Sequence, residues 1–397
     1  MSALQNFVII ELAESVAGEY CGKLLADFGA EIIKIEKPGC GSPTRTLGPR
    51  VAGDAHPERS GLFAYLNTNK ASVTLDVQNA TGVAMLAKLL RRADAVIDDH
   101  APGWLAGVGL DPAEFQEQYA RLVLCAITPF GQAPPADRVN AEDLTIFQAS
   151  GWGYHTPSGM NDEVPPLKGA GRFLVSYEAG LEAAMCVTAC LHGREETGRG
   201  RFIDVSKQAV MASRVDYVLG QMVAGEMDVG TSRTAFDLWG PAAIFACREG
   251  FAYIWLSDPL HWKGLRQLLN DPEWMREFPE HWLEREATPE RVATTRKHIA
   301  AWLRTQDKHE AAAAAQKLGV MLVPVNNASD LPHLPQYRFR EFFKEVDHPV
   351  LGRALYPTVP YKLSATPARI VTPAPLLGQH TDMKLAALPG AATIGSA

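Results

Sequence analysis

Leu24-Leu-Ala-Asp-Phe-Gly-Ala-Glu-Ile-Ile-Lys-Ile-Glu36 joins the end of a helix, a glycine stop and a buried strand in one short stretch. Cys21, Leu24, Leu25 and Phe28 recur at helical spacing, and Gly29 suits the helix C-terminus. The run from Glu31 to Glu36 then reads as a strand closed by Lys37-Pro38-Gly39. Upstream, Phe7-Val-Ile-Ile10 is a short apolar strand, so the chain opens strand–helix–strand, with the helix expected over Glu14 to Gly29.

The alternation continues. Ser72-Val-Thr-Leu-Asp76 reads as a third strand. Asn79 can cap a helix from Ala80 to Arg92, whose stripe is Val83, Leu86, Leu89 and Leu90. Ala95-Val-Ile-Asp98 and Leu122-Val-Leu-Cys-Ala-Ile127 are further buried strands. Strands alternating with helices predict an α/β fold, with a Rossmann-like large domain built on a mostly parallel sheet covered on both faces. A loop is expected over 150–172, a long helix over Tyr177 to Arg194, a strand from Arg201 to Ser206 and a helix near Gln208 to Tyr217. The character then changes. A hairpin is expected around Arg248-Glu-Gly250, followed by charged helical sequence over about 260–318. Three parts follow: a large domain over 1–220, a smaller α/β domain over 221–330, and a segment over 331–397 that returns to the large domain. Its proline-punctuated stretch Val346 to Leu377 is expected to run across other elements.

Composition narrows the function. An apolar fraction of 47% and a charged fraction of 21% are ordinary for a globular chain, and a net charge of −7 argues against nucleic acid as the main ligand. The N-terminus lacks the basic and long apolar regions of a signal peptide, and no stretch reaches about 20 apolar residues. A cytoplasmic protein without membrane contact is expected. The 6 cysteines are scattered with no CxxC pair and read as reduced thiols, although Cys186 and Cys190 share a helix face. No zinc-type spacing occurs, and neither GxGxxG nor GxxxxGK[ST] is present, so the usual phosphate-cradling turns are missing. His100, His155, His192, His348 and His380 are candidate bases.

Five motifs in order give the chain a resemblance to a known family. Ala17-Gly18 with Leu24 to Glu36 is similar to "AGPxC…LLADxGAxVIKVE". Tyr65-Leu-Asn-Thr-Asn-Lys-Ala-Ser-Val-Thr-Leu-Asp76 is similar to "NxNKRSxxLDL". Asp99-His-Ala-Pro-Gly103 with Gly107-Val-Gly-Leu110 resembles "N(F/Y)RPGxxxRLGL". Thr197-Gly-Arg-Gly-Arg-Phe-Ile-Asp-Val-Ser206 and Pro375-Leu-Leu-Gly-Gln-His-Thr-Asp382 resemble two more signatures. Together they resemble the family III CoA-transferases of CaiB/BaiF type. The resemblance implies an interlocked dimer, coenzyme A or acyl-CoA as substrate with no permanently bound cofactor, and CoA lying along the large domain. It places Val16, Ala17, Lys37, Lys70, Asp99 and His100 in the CoA-contacting stretches, with Arg45 in the loop beyond Lys37.

In that family an Asp four residues before a helix glycine attacks the thioester and forms a mixed anhydride. Here Phe173-Leu-Val-Ser-Tyr-Glu-Ala-Gly180 sets Ser176 at that position. A serine hydroxyl needs an adjacent base, and its ester is a far poorer acyl donor than an anhydride. A helix-capping role is the alternative for Ser176. Glu178, with Glu182 one turn on, is the nearest acid and the candidate substitute, unless Arg194, Arg199 or Arg201 pairs with it. The arginines expected at 101 and 107 are Ala101 and Gly107, which thins the phosphate-binding set. Phe236 and Trp239 stand where the family has a glycine-rich loop, either lining an acyl pocket or filling it.

The expectation is a CoA-transferase subunit whose catalytic Asp comes from a homologous partner, as in heteromeric members such as benzylsuccinate CoA-transferase. It moves CoA between a donor such as succinyl-CoA and an organic acid. The alternatives are a self-sufficient homodimeric transferase or racemase using Glu178, and a silent CoA-binding scaffold.

Overall fold

The apolar runs lie side by side as one parallel sheet in the computed structural model, which describes residues 2–51, 56–135, 139–155, 171–225 and 240–388. The strands are β1 (Val8–Glu11), β2 (Glu31–Glu36), β3 (Lys70–Thr74), β4 (Ala95–Asp98), β5 (Val123–Thr128) and β6 (Phe202–Ser206). Their order is β3-β2-β1-β4-β5-β6. Successive crossovers run one way from β1 to β3 and the other way from β4 to β6. The strand order therefore reverses between β1 and β4, where the carboxyl ends leave a crevice. Pairs such as Ile9 with Ile32 and Ile9 with Ala95 set the register.

Side-chain alternation divides the core in two. Ile9, Ile32, Ile97, Cys125 and Ile127 face α1 (Val16–Asp27) and the long helix α4 (Leu174–Thr197). Ile10, Ile33, Val73, Val96 and Leu124 face α2 (Ala80–Leu90), which Asn79 caps by accepting from the Gly82 N–H at 2.9 Å. Gly29 adopts φ 96° just past α1, the left-handed stop expected of it. Two further helices flank the site described below, α3 (Asp143–Ala149) and α5 (Lys207–Ala212).

Helix α4 is longer at both ends than the sequence predicts. It is also, among the described residues, the one helix long and apolar enough by composition to cross a membrane, which corrects the expectation that no stretch qualifies. Its Ala179, Ala183, Val187 and Leu191 are core residues against the sheet and α1. Gly180 makes the close approach possible. A Cβ there would lie 2.5 Å from the Ala17 carbonyl oxygen. The glycine that marks the motif is the point where α4 seats on α1, and residue 176 lies one turn before it.

The chain forms two compact units, one from Met1–Arg233 with Phe342–Ala397, the other from Thr234–Glu341. In the second, β7 (Ala243–Ala246) and β8 (Phe251–Trp255) form the expected hairpin. Strand β9 (Met321–Val325), which the sequence reading missed, adds to β8. Its helices α6 (Pro259–Leu268), α7 (Pro289–Leu303) and α8 (Lys308–Lys317) start at Asp258, Thr288 and Asp307, each a side-chain cap. They pack Trp262, Leu265, Ile299 and Ala311 with Trp282 against Ile254 and Leu322.

The C-terminal stretch first turns back as a hairpin, β10 (Phe343–His348) with β11 (Gly352–Pro357), where only extended chain was expected. It then crosses the large unit. The His380 N–H donates to the Ser72 carbonyl at 2.9 Å, and His380 Nδ1 accepts from the Ser72 N–H at 3.2 Å. The Thr74 N–H donates to Thr381 Oγ1 at 2.9 Å, so this segment covers the exposed edge of β3.

The packing at Gly180 predicts opposite signs for two similar substitutions. Gly180→Ala must displace backbone and should destabilise by about 1–3 kcal/mol. Gly193→Ala, in the same helix with nothing within 4 Å of the new methyl group, should stabilise by about 0.5–1 kcal/mol. Denaturant unfolding of both variants checks this.

Candidate active site

At the carboxyl ends of the strands a cavity of about 610 Å³ opens, and residues just beyond β1, β4, β5 and β6 line it: Val16, Asp99, His100, Pro129 and Lys207. Ser176 of α4 and Asp143 of α3 complete the wall. A second cavity of about 210 Å³ lies beside it, lined by Lys37, Leu75, Gln78 and Trp104, and Glu14 and His100 border both.

Asp99 organises the first turn of α1. Its carboxylate accepts from the Glu14 N–H at 2.8 Å, the Gly18 N–H at 3.0 Å and the Ser15 hydroxyl at 2.5 Å. Burial works to raise its pKa, but the bonds from Ser15 and Glu14 and the charges of Lys207 and His100 hold it below the usual range. Asp99 is thus a remote cap for α1. A Cβ at Gly18 would lie 2.9 Å from its Oδ2, so glycine admits it. The Val16 N–H, at the first position of α1, has no hydrogen-bond partner among the described residues.

His100 is gripped on both ring nitrogens, Nδ1 by Asp98 at 2.7 Å and Nε2 by Glu14 at 3.5 Å, and it stacks on Trp104 with centroids 3.7 Å apart. Burial disfavours its charge, yet the hydrogen bonds to Asp98 and Glu14 win and raise its pKa from 6.5 to about 10. At neutral pH it is an imidazolium at the junction of the two cavities.

Ser176 does not cap α4 with its side chain, as the sequence suggested for it. The cap comes from outside. The Ser176 N–H donates to Asp143 Oδ2 at 2.9 Å and its hydroxyl to Oδ1 at 2.8 Å. Lys207 Nζ donates to Ser176 Oγ at 3.2 Å and lies 3.9 Å from Asp143 Oδ1. The three side chains form one small polar cluster on the cavity wall.

The model of CoA-transferase family III matches residues 4–381. The chain belongs to that family. It is 26% identical to human succinyl-CoA:glutarate CoA-transferase over 382 residues, 95% of this chain and 84% of the relative. It is 28% identical to formyl-CoA:oxalate CoA-transferase of Bradyrhizobium sp. (strain ORS 278), covering 96% and 92%. Identity to succinyl-CoA–D-citramalate CoA-transferase of Chloroflexus aurantiacus is also 28%, covering 95% and 92%. A crystal structure of a CaiB/BaiF family protein from Brucella suis shares the fold with a TM-score of 0.80 at 24% identity, over 97% of this chain and 99% of that one. This family III CoA-transferase is therefore an enzyme-family member whose substrates are CoA thioesters, with no permanently bound cofactor.

The geometry sorts the candidate CoA-binding residues. Lys37 is exposed and lines the smaller cavity. Lys70 does not, which corrects its assignment as a phosphate-binding cation. It is 3% exposed, and its ammonium group donates to Glu11 Oε2 at 2.7 Å, the Glu19 carbonyl at 2.7 Å and Asn67 Oδ1 at 3.0 Å, leaving no proton for a ligand. Arg45 is equally spent, on Glu36, Glu58 and the Pro375 carbonyl. Ala17 is fully buried under Gly180, so its contribution is to packing. Asp99 acts through α1, as above.

Glu178 is likewise corrected as a catalytic candidate. It points away from the cavity and receives Arg214 Nε at 2.6 Å, while Nη2 of the same guanidinium binds Glu182 at 2.9 Å. Two residues on from Ser176, it lies on another face of α4. The partner is Arg214, not the three arginines considered from sequence. Phe236, Trp239 and the side chain of His155 lie outside the described residues.

Asp143 and Lys207 escaped the sequence reading. The available signal was positional. Lys207 follows the Ile-Asp-Val-Ser206 signature at a strand's carboxyl end, where α/β sites gather. Asp143 opens α3, and nothing in sequence ties it to Ser176 across 33 residues.

A histidine whose pKa rises on folding contributes stability that is complete below its ordinary value of 6.5 and is lost as pH climbs through about 10. The His100 ring should stay protonated at pH 8 by NMR, and the stability gap between wild type and His100→Asn should shrink between pH 6.5 and 10. Glu178→Gln should cost no more than about 1 kcal/mol in unfolding experiments, as a solvent-accessible pair does. CoA-exchange rates should be unaltered by it.

Proposed function

We propose that this chain is one subunit of a CoA-transferase that moves CoA between an acyl-CoA donor such as succinyl-CoA and an organic acid, and that a homologous partner subunit supplies the nucleophilic Asp. In this reading the acyl-CoA lies across the two cavities. Lys37 meets its phosphates, and the thioester enters the larger cavity beside Ser176.

One observation carries the proposal: a hydroxyl, bonded to Asp143, occupies the position at which the family attacks the thioester. Asp143 is a poor replacement, since its Oδ2 holds the N-terminus of α4 and its Oδ1 the Ser176 hydroxyl, and an anhydride would disrupt both contacts. Glu178 is held by Arg214 outside the cavity wall. The relatives act on dicarboxylic or other small organic acids by name, which supports an acceptor of that class.

The test is CoA exchange from succinyl-CoA to glutarate, oxalate and D-citramalate, by this chain alone and after co-purification with an Asp-bearing homologue. Exchange should require both chains, and hydroxylamine or borohydride trapping should mark the partner. Exchange by this chain alone at about 1 s⁻¹ or faster, an ordinary enzymatic rate, would refute the proposal.

A further inference from the structure

An inert serine would need no charged company, yet Ser176 sits between a base and a cation. Its hydroxyl donates to Asp143 Oδ1 at 2.8 Å and accepts from Lys207 Nζ at 3.2 Å. Ser176 is 3% exposed and Lys207 8%, and both border the cavity. A nucleophile in hydrogen-bond reach of a base, with a third group fixing both, is the arrangement that activates a hydroxyl.

We propose that this cavity hydrolyses acyl-CoA thioesters, with Ser176 as nucleophile and Asp143 as base. The proposal rests on the reading that the cavity receives an acyl-CoA. Ser176 Oγ attacks the thioester carbonyl carbon while its proton passes to Asp143 Oδ1 along the existing hydrogen bond. Lys207 and Val16 line the same cavity, and the Lys207 ammonium and the Val16 N–H, unpartnered among the described residues, are suited to the negative charge that develops. The carbon–sulfur bond breaks, the proton on Asp143 goes to the departing thiolate, and CoA leaves as the thiol. Ser176 then carries an oxygen ester.

Water attacks that ester and gives its proton to Asp143. The carbon–Oγ bond breaks, the proton returns to Oγ, and the organic acid leaves. The sum is acyl-CoA plus water to acid plus CoA. A carboxylate acceptor would have to make an anhydride from an oxygen ester, an uphill step, so water is the acceptor that completes the cycle. Asp143 Oδ2 keeps its bond to the Ser176 N–H throughout, so α4 remains capped.

The experiment uses the full chain without any partner, acetyl-CoA and glutaryl-CoA as probes, a thiol reagent to follow CoA release, and calorimetry to follow CoA binding. Release should fall at least about a hundredfold in Ser176→Ala, the scale of losing a nucleophile and its base, with CoA affinity unchanged. Acid-quenched wild type should carry an acyl mass on the peptide containing Ser176. Asp143→Asn should lower release as well, but it also weakens the α4 cap, so the alanine variant and the adduct decide. Equal release by Ser176→Ala, an acyl group on another residue, or CoA binding without release overturns the hydrolysis and leaves the transferase reading standing. Failure of wild type to bind CoA overturns both.

Discussion

A fully buried set of charges ties the first three strands, helix α1 and the loop after β2 into one block. Lys34 Nζ contacts Glu11 at 3.1 Å and Glu19 at 2.9 Å, while Lys70 takes the second oxygen of Glu11. Glu19 also accepts from the hydroxyls of Ser42 and Thr44 at 2.6 Å each. Beside it, Glu36 receives a two-pronged bond from Arg45 and a further bond from Ser72. Burial alone would raise the Glu36 pKa; the Arg45 bonds and the charge of Lys34 instead bring it down to about 2. Such a set is strict about geometry, because losing one partner strands a buried charge at a cost of about 3–5 kcal/mol. The walls of the site inherit that rigidity through Glu14 and Ser42.

The same economy governs the helix ends that face the cavity. Neither α1 nor α4 is capped by the residue that precedes it. Asp99, from the end of β4, caps α1, and Asp143, from the start of α3, caps α4. Each carboxylate reaches its helix only when the sheet has brought distant chain segments together. Gly18 and Gly180 provide the room, the first for Asp99 and the second for the Ala17 carbonyl. The placement of residue 176 therefore depends on packing between α1 and α4 more than on its own neighbours in sequence.

Chemically, the cavity combines a family position with altered occupants. An imidazolium stands at His100, where the two cavities meet, kept charged by Asp98 and Glu14. The Ser176 hydroxyl has the Asp143 carboxylate and the Lys207 ammonium group within hydrogen-bond reach, 3.9 Å from each other. Lys70, which the family resemblance assigned to phosphate, and Arg45 in the loop beyond Lys37 hold the scaffold together.

Much of the architecture was legible in the amino-acid order. Strand positions, the helix stop at Gly29, the Asn79 cap and the hairpin at Gly250 follow from local periodicity and turn chemistry, which a single segment carries within itself. The family, too, was written in motifs, as was the hydroxyl at 176. Strand β9, the β10–β11 hairpin and the full length of α4 were missed because tertiary pairing, not local propensity, sets them. Partnership was illegible for the same reason. That Lys70 is consumed by Glu11, that Glu178 belongs to Arg214, and that Asp143 and Lys207 meet at Ser176 are facts about side chains separated by 59, 36, 33 and 31 residues. A charge announces itself in sequence, but the partner that neutralises or recruits it is chosen only when the folded sheet decides which groups lose their water together.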